Sequence, residues 1–259
     1  MNFNAIDLSI LLPAFAAGLL VTATHVPLGM QVLARGIVFI DLAIAQIAGC
    51  GVLFADQLGF EAEGAAVQVA ALAAALGGAL LLTWTERVFA DVQEAVIGVV
   101  FVLAATGSVL LLASNVHGGE HLRDMLVGQI LWAQPSRLLW VGLVYAGILA
   151  LWFGFRERLG RAGFYALFAV AVTLSVQLVG LYLVFATLIV PPLATRRMTR
   201  RRLPAAWALG AAGYAGGLLL STTADLPSGP TIVWVLVALA VLVELFTRRR
   251  AEAAVQLRP

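Results

Sequence analysis

The sequence predicts an all-α, polytopic transmembrane helical bundle, and three observations predict it. Hydrophobic residues make up 62% of the 259 and charged residues 12%, with a mean hydropathy of +0.99; soluble domains run near half apolar and a quarter charged. The apolar residues come in blocks, 6–23, 65–84, 95–113, 138–155, 203–220 and 232–246, near the roughly 20 helical residues that cross a hydrocarbon core of about 30 Å. The 25 glycines and abundant alanine give these blocks small faces for close helix contact. A soluble enzyme could not hide this much apolar surface.

The first block has no basic region before it and no convincing cleavage site after it, so it reads as a retained span and not a leader. Cys50 is the only cysteine; alone it makes neither an internal disulfide nor a cysteine metal site, and within an apolar run it reads as a packed small residue. Segment 125–132, inside the long connection 116–137, is too short to cross and is expected at the membrane interface, where Trp132 is suited. Gly229 and Pro230 are expected to stop and restart the last hairpin. No linker, low-complexity tract or soluble domain interrupts the chain.

All 16 positive residues are arginines: five between Arg196 and Arg202, three between Arg156 and Arg161, then Arg248, Arg249, Arg250 and Arg258. Short loops rich in positive charge stay cytoplasmic, so these segments share one side. A single crossing over 164–192 would separate the first two clusters, whereas two passes keep them together. Gly180 marks the break, and 181–194 returns as a short segment ending near Pro191 and Pro192, where missing amide donors interrupt a helix. Interrupted helices survive in lipid only where protein or a cavity covers the freed backbone, which makes the break a functional suspect.

Walking both ways gives about nine passes in one domain, 1–250, with the N-terminus outside and a cytoplasmic tail, 251–259. Inner loops are expected near 25–35, 86–94, 156–163 and 196–202, and outer ones near 56–64, 116–137, Gly180 and 225–230. Only Arg123 and Arg137 then lie outside. The pI of about 9.1 is thereby a matter of topology and not of nucleic-acid binding. No G-x-x-x-x-G-K-[ST] phosphate loop occurs, so ATP would act through another chain.

The segment 174–197, LSVQLVGLYLVFATLIVPPLATRR, resembles one in the membrane subunits of zinc, manganese and iron importers of the ATP-binding-cassette class. The pattern falls on Ser175, Val176, Val179, Gly180, Leu183, Ala186, Leu188, Ile189, Pro191, Ala194 and Thr195. Segment 31–53, with Arg35 before it and Asp41 within it, looks like that family's second span. Segment 126–131, LVGQIL, looks like its outer-loop phrase. The resemblance spans about 31–246 and implies a fold like type II importer permeases, including the short broken return helix. It departs at Ala45, where members close to the zinc importers carry a histidine four residues after the aspartate equivalent to Asp41.

Further implications follow from the resemblance. The chain would bind no cofactor itself. It would pair with a second copy, dock on a cytoplasmic ATP-binding subunit and receive a divalent zinc, manganese or iron ion from an extracytoplasmic metal-binding protein, all within the lipid bilayer of a bacterial inner membrane. Relatives place a short coupling helix ending in glycine against the ATPase, and the matching stretch here is Arg156, Glu157, Arg158, Leu159, Gly160 and Arg161. Those arginines could instead only enforce topology or meet anionic lipid.

Several polar residues admit two readings from chemistry alone. Asp41, just inside the second span, is costly when ionised at depth; it either faces a pathway or positions a helix beside Arg35. Gln46 could bond across helices or meet a solute. Together with Gly180, Pro191 and Pro192 these form the candidate path or gate. His117, Glu120 and His121, in H-G-G-E-H, carry donors suited to zinc or manganese and form either a transient metal-receiving site or an ordinary polar loop. Glu244 with Arg248 is an i,i+4 pair near the inner surface. His25 and Asp225 are expected at loop edges without special roles. The proposed work is alternating access without covalent chemistry; the alternative is an ATPase-independent secondary transporter, which would favour buried charged relays and inverted repeats.

Overall fold

The computed structural model describes residues 8–60, 64–112, 130–198 and 200–256. Over these residues the chain folds into α1 (Leu8–Arg35), α2 (Ile40–Gln57), α3 (Ala65–Val88), α4 (Gln93–Leu112), α5 (Pro135–Val179), α6 (Leu181–Ala194), α7 (Arg202–Ala224) and α8 (Ser228–Gln256). Short 3-10 turns occupy Ala90–Val92 and Ile130–Trp132, and Trp132 is exposed. Among the described residues seven helices are long and apolar enough to cross a membrane, and α6 is a shorter apolar helix. The expected all-α bundle is what forms.

Composition determines how each helix is used. The 28 residues of α1 extend about 42 Å at 1.5 Å per residue, longer than a hydrocarbon core. The helix continues through Pro13 and Pro27 to Arg35, so 25–35 is its last three turns and not the inner loop expected from sequence. Beside Pro27, the Thr24 hydroxyl donates to backbone carbonyls at Leu20 and Val21, at 3.2 and 3.1 Å. His25 is fully buried, correcting its placement at a loop edge. Its Nδ1 lies 3.1 Å from the Val21 carbonyl; a carbonyl only accepts, so the proton sits on Nδ1 and the buried Nε2 is an acceptor without a partner.

α5 is 45 residues long but is not one rod: Phe155 and Gly160 have non-helical backbone angles, dividing it into arms 135–154 and 161–179. α6 is the most enclosed element, packed among α1, α7 and α8, while α5 packs against α1 and α3 and α2 against α3 and α4. The expected small faces operate where α1 meets α7: a side chain at Gly18 would collide with the Tyr214 ring. The Tyr214 hydroxyl in turn bonds Thr187 Oγ1 of α6 at 2.9 Å. Between the arms of α5, the Tyr145 hydroxyl meets Ser175 Oγ and lies 3.2 Å from the Ala171 carbonyl.

The last hairpin turns at 225–227, so Gly229 and Pro230 fall in the first turn of α8 and do not form the turn itself. Proline is accommodated there because the first-turn amides have no helical acceptor. Glu244 of α8 reaches across to Arg196 at 3.2 Å and Arg197 at 3.4 Å. The sequence suggested only Arg248 as its partner, because residues distant in the chain give no spacing signal.

Candidate translocation pathway and coupling segment

Asp41 lies in the first turn of α2 and is fully buried. Neither carboxylate oxygen has a partner in hydrogen-bond geometry, although the amides of Leu42 and Asp41 itself are near. The positive end of the α2 dipole favours a negative charge at this place. It offsets part of an insertion cost of roughly 3 kcal/mol for a carboxylate at a membrane helix centre. No ion pair joins Asp41 to Arg35 among the described residues; the Arg35 guanidinium lies 4.5 Å from the centre of the Phe164 ring.

Gln46 is also buried, yet it is not brought together with Asp41 on one face. Five residues turn a helix by about 140° beyond a full turn. The position on the Asp41 face one turn further is Ala45, also buried. A side chain without donor atoms therefore stands where the resemblance to members close to the zinc importers would lead one to expect an imidazole. Glu94, on the first turn of α4, accepts a hydrogen bond from the Phe39 amide at 3.2 Å, two residues from Asp41, and its Oε2 is buried without a partner. Phe39 also stacks on Phe185 of α6, with ring centres 6.5 Å apart and planes 5° from parallel. The α2 start thus lies against the short helix.

The break at Gly180 is present: α5 ends at Val179, α6 begins at Leu181, and Gly180 has φ 85 and ψ 159. Its amide donates to the Val176 carbonyl at 2.9 Å and its carbonyl accepts from Val184 at 3.1 Å, so the kink satisfies its own backbone groups. Pro191 and Pro192 are buried and sit inside α6, which continues to Ala194. Pro192 removes the amide that would have bonded the Leu188 carbonyl. That oxygen faces Gly29 of α1, at a separation that leaves no room for a Cβ.

The C-terminal carbonyls of α6 find donors from the arginine cluster. Arg196 Nη1 donates to Leu193 at 2.9 Å, Arg202 Nη2 to Pro192 at 3.4 Å, and Thr195 Oγ1 to Pro191 at 3.0 Å. Cations at a helix C-terminus also complement its dipole. The cluster read as a topology signal is therefore also the cap of the short helix.

Segment 155–160 is the exposed link between the arms of α5. Arg156, Glu157, Arg158 and Gly160 are exposed, and Leu159 is half-buried. Gly160, at φ 58 and ψ −160, ends the short piece and lets the second arm start in a new direction. Arg156 Nη2 donates to Gln31 Oε1 at 2.7 Å, and Arg161 Nε lies 3.7 Å from Glu86 Oε1. Glu157 and Arg158 have no partner among the described residues. His117, Glu120 and His121 lie outside the described residues. Among those described, no group of three or more His, Cys, Asp or Glu is placed to hold a metal ion.

The sequence profile of the ABC 3 transport family matches residues 7–164 and 150–247. The chain belongs to the ABC 3 transport family. This ABC 3 chain is accordingly a multi-pass permease of the cell inner membrane, the transport subunit of an ABC system. It is similar in fold to PsaBC of Streptococcus pneumoniae solved with a Fab, at 19% identity and a TM-score of 0.69 over 90% of this chain and 89% of that one. It is also similar to an inward-facing structure attributed to the metal-chelate type of ABC transporter, at 16% identity and a TM-score of 0.66 over 90% of this chain and 84% of that one. No curated protein matches it.

In this ABC 3 permease the sequence missed Gln31, Glu86 and Glu94, the partners of Arg156, Arg161 and the Phe39 amide. One signal was available for Gln31: Gly36, at φ 68, directly follows Arg35 as a helix stop. That places the α1 terminus, and Gln31 one turn before it, at the level of the inner turns.

Proposed function

We propose that this permease imports a divalent transition metal ion, zinc, manganese or iron, by alternating access driven by a separate cytoplasmic ATP-binding subunit. The observation that carries the reading is the link at 155–160: a short, exposed, glycine-ended piece between two membrane helices, with Glu157 and Arg158 unpartnered among the described residues. An ATPase cleft would take Arg156, Glu157, Arg158, Leu159, Gly160 and Arg161. Asp41, buried with neither oxygen in a well-formed hydrogen bond, is the carboxylate suited to meet a hard or borderline cation in passage, with Gln46, Gly180, Pro191 and Pro192 shaping the path. The fold likeness to a chain attributed to the metal-chelate type supports the metal cargo. His117, Glu120 and His121 would receive the ion outside from an extracytoplasmic metal-binding protein.

A second copy of this chain would complete the path. α4 is the least covered of the long helices. Between it and the α2 start lies an apolar groove of about 580 Å³ lined by Phe39, Leu42, Gly98 and Val102 among others, which suits an apolar helix of a partner copy.

In the purified complex with its ATPase in proteoliposomes, ATP hydrolysis is expected to rise with zinc, manganese or iron. Asp41→Asn should cut ion uptake at least about tenfold while the subunits stay assembled, because the amide cannot supply the anionic oxygen that a divalent cation takes as a ligand. Hydrolysis indifferent to all three ions would sink the metal assignment.

The topology proposed is nine crossings: α1 to α4, the two arms of α5, then α6, α7 and α8, with the N-terminus outside and the C-terminal tail cytoplasmic. Its check is a reporter fused after Arg202. Fluorescence of a cytoplasm-dependent reporter is expected there, and activity of a periplasm-dependent one would place the arginine cluster on the wrong side.

A further inference from the structure

We propose that Gln31 and Glu86 are positioning residues that pass movement of the link at 155–160 to the helix starts bearing Asp41 and Glu94; this deepens the importer reading and rests on the ATPase-docking role given to the link. The link is held to the bundle by side chains at both of its ends. At its entry, Arg156 binds Gln31 on the last turn of α1 at 2.7 Å, and its guanidinium lies 5.1 Å from the Trp152 ring centre, which limits the directions in which it can donate. At its exit, Arg161 meets Glu86 on the last turn of α3, and Arg35, the last residue of α1, covers Phe164 on the second arm.

Each attachment ends one turn from a reversal of the chain. Beyond Gln31 and Arg35 come Gly36 and then α2 with Asp41; beyond Glu86 come the 3-10 turn and α4 with Glu94. The two reversals are themselves joined by the Phe39 amide to Glu94 bond. A displacement of the link therefore acts on both helix starts together.

The surroundings of Glu86 are built to change partners. Glu86 and Gln93 lie beside the Tyr165 hydroxyl, within the electrostatic reach of Arg35. Glu86 Oε2, Gln93 Oε1, Arg35 Nη1 and the Tyr165 oxygen are buried, and although Glu86 and Gln93 lie within reach of the Tyr165 hydroxyl, none of these four atoms makes a hydrogen bond of good geometry. Buried polar atoms are ordinarily paired, so four buried ones without a well-formed bond, on the ends of α1, α3 and α4 and the second arm of α5, mark an arrangement with a second set of bonds available. Arg161 is 55% exposed and its pair is loose at 3.7 Å; contacts of this kind add little stability and are free to exchange. A two-state element that both sites bias is what coupling requires.

The test measures Mn2+ and Zn2+ uptake and ATP hydrolysis side by side in proteoliposomes holding the permease with its ATPase. Gln31→Ala and Glu86→Gln are each expected to lower ions moved per ATP at least about fivefold, the lower end of common coupling energies, with hydrolysis within about twofold of the parent. A purely structural role would lower both rates together and leave the ratio unchanged, which overturns the proposal. Gln31→Glu keeps the acceptor and is expected to keep the ratio, and Glu86→Asp keeps the carboxylate facing Arg161 and is expected to keep it as well. If a single variant fails to assemble, these two decide: a ratio reduced in both overturns the inference. A parent chain that imports ions while the variants keep its ratio refutes these two residues alone, whereas a parent that neither binds an ATPase nor imports ions refutes the importer reading and this inference with it.

Discussion

Gly29→Ala should disable the permease, with apparent melting lowered by about 5–10 °C and ion uptake reduced more than about tenfold. A Cβ at residue 29 would fall onto the Leu188 carbonyl oxygen, with the Leu188 carbonyl carbon at 2.9 Å and Pro192 Cγ at 3.1 Å. None of these atoms is the free end of a flexible side chain. The oxygen belongs to backbone whose helical donor Pro192 has removed, so it cannot be drawn back into the α6 ladder to make room. α1 and α6 must therefore separate, at a cost of roughly 2–3 kcal/mol for overpacking a well-filled interface. Gly77→Ala and Gly147→Ala are the controls, since a Cβ at either position meets nothing within 4 Å; both should melt within a few degrees of the parent and import normally. A Gly29→Ala protein with parental melting and uptake would show that α1 and α6 do not need this approach.

The helices were legible because lipid imposes one rule on all of them: an apolar run of sufficient length must satisfy its own backbone, so hydropathy alone locates it. The return at Gly180 was legible for a different reason. Arginine clusters at 156–161 and 196–202 had to share a side, and only an extra reversal between them permitted that. The end of α1 was misread because Pro27 and Gly29 look like loop residues in a soluble protein, whereas here Thr24 and His25 supply local bonds beside the proline and Gly29 makes room for α6. Pairings across the bundle, Arg156 with Gln31 or Glu244 with Arg196, carry no spacing signature at all. They depend on which helix ends meet, and a single sequence does not say.

The arginine cluster shows how one feature serves two physical demands. In the proposed topology five positive charges hold a short loop on the cytoplasmic side, and two of them, Arg196 and Arg202, donate to the last carbonyls of α6. Glu244 then ties Arg196 and Arg197 to α8. A helix of 14 residues is about 21 Å long, too short to span alone. Its inner end is thus fixed by charge and its outer end by the turn at Gly180.

Gly180→Ala is expected to reduce ion uptake more than about tenfold while costing only about 1–3 kcal/mol of stability. At φ 85 and ψ 159 the backbone is in a region essentially closed to residues with a Cβ. Alanine would favour helix through this position by about 1 kcal/mol, yet a continuous helix over 161–194 would be about 50 Å long and would carry the arginines at 196–202 to the outer face. The membrane opposes that outcome far more strongly than alanine favours it. The protein therefore keeps the turn and distributes the strain into the first residues of α6, where Phe185 stacks on Phe39 beside Asp41. Gly180→Asn distinguishes this from an ordinary left-handed turn: asparagine tolerates φ near +57° with ψ near +47° but not the extended ψ found here, so it should fail as alanine does. Uptake and melting measured together carry the test. Near-parental uptake in Gly180→Ala would mean that the turn only joins two helices and that its geometry plays no part in moving the ion.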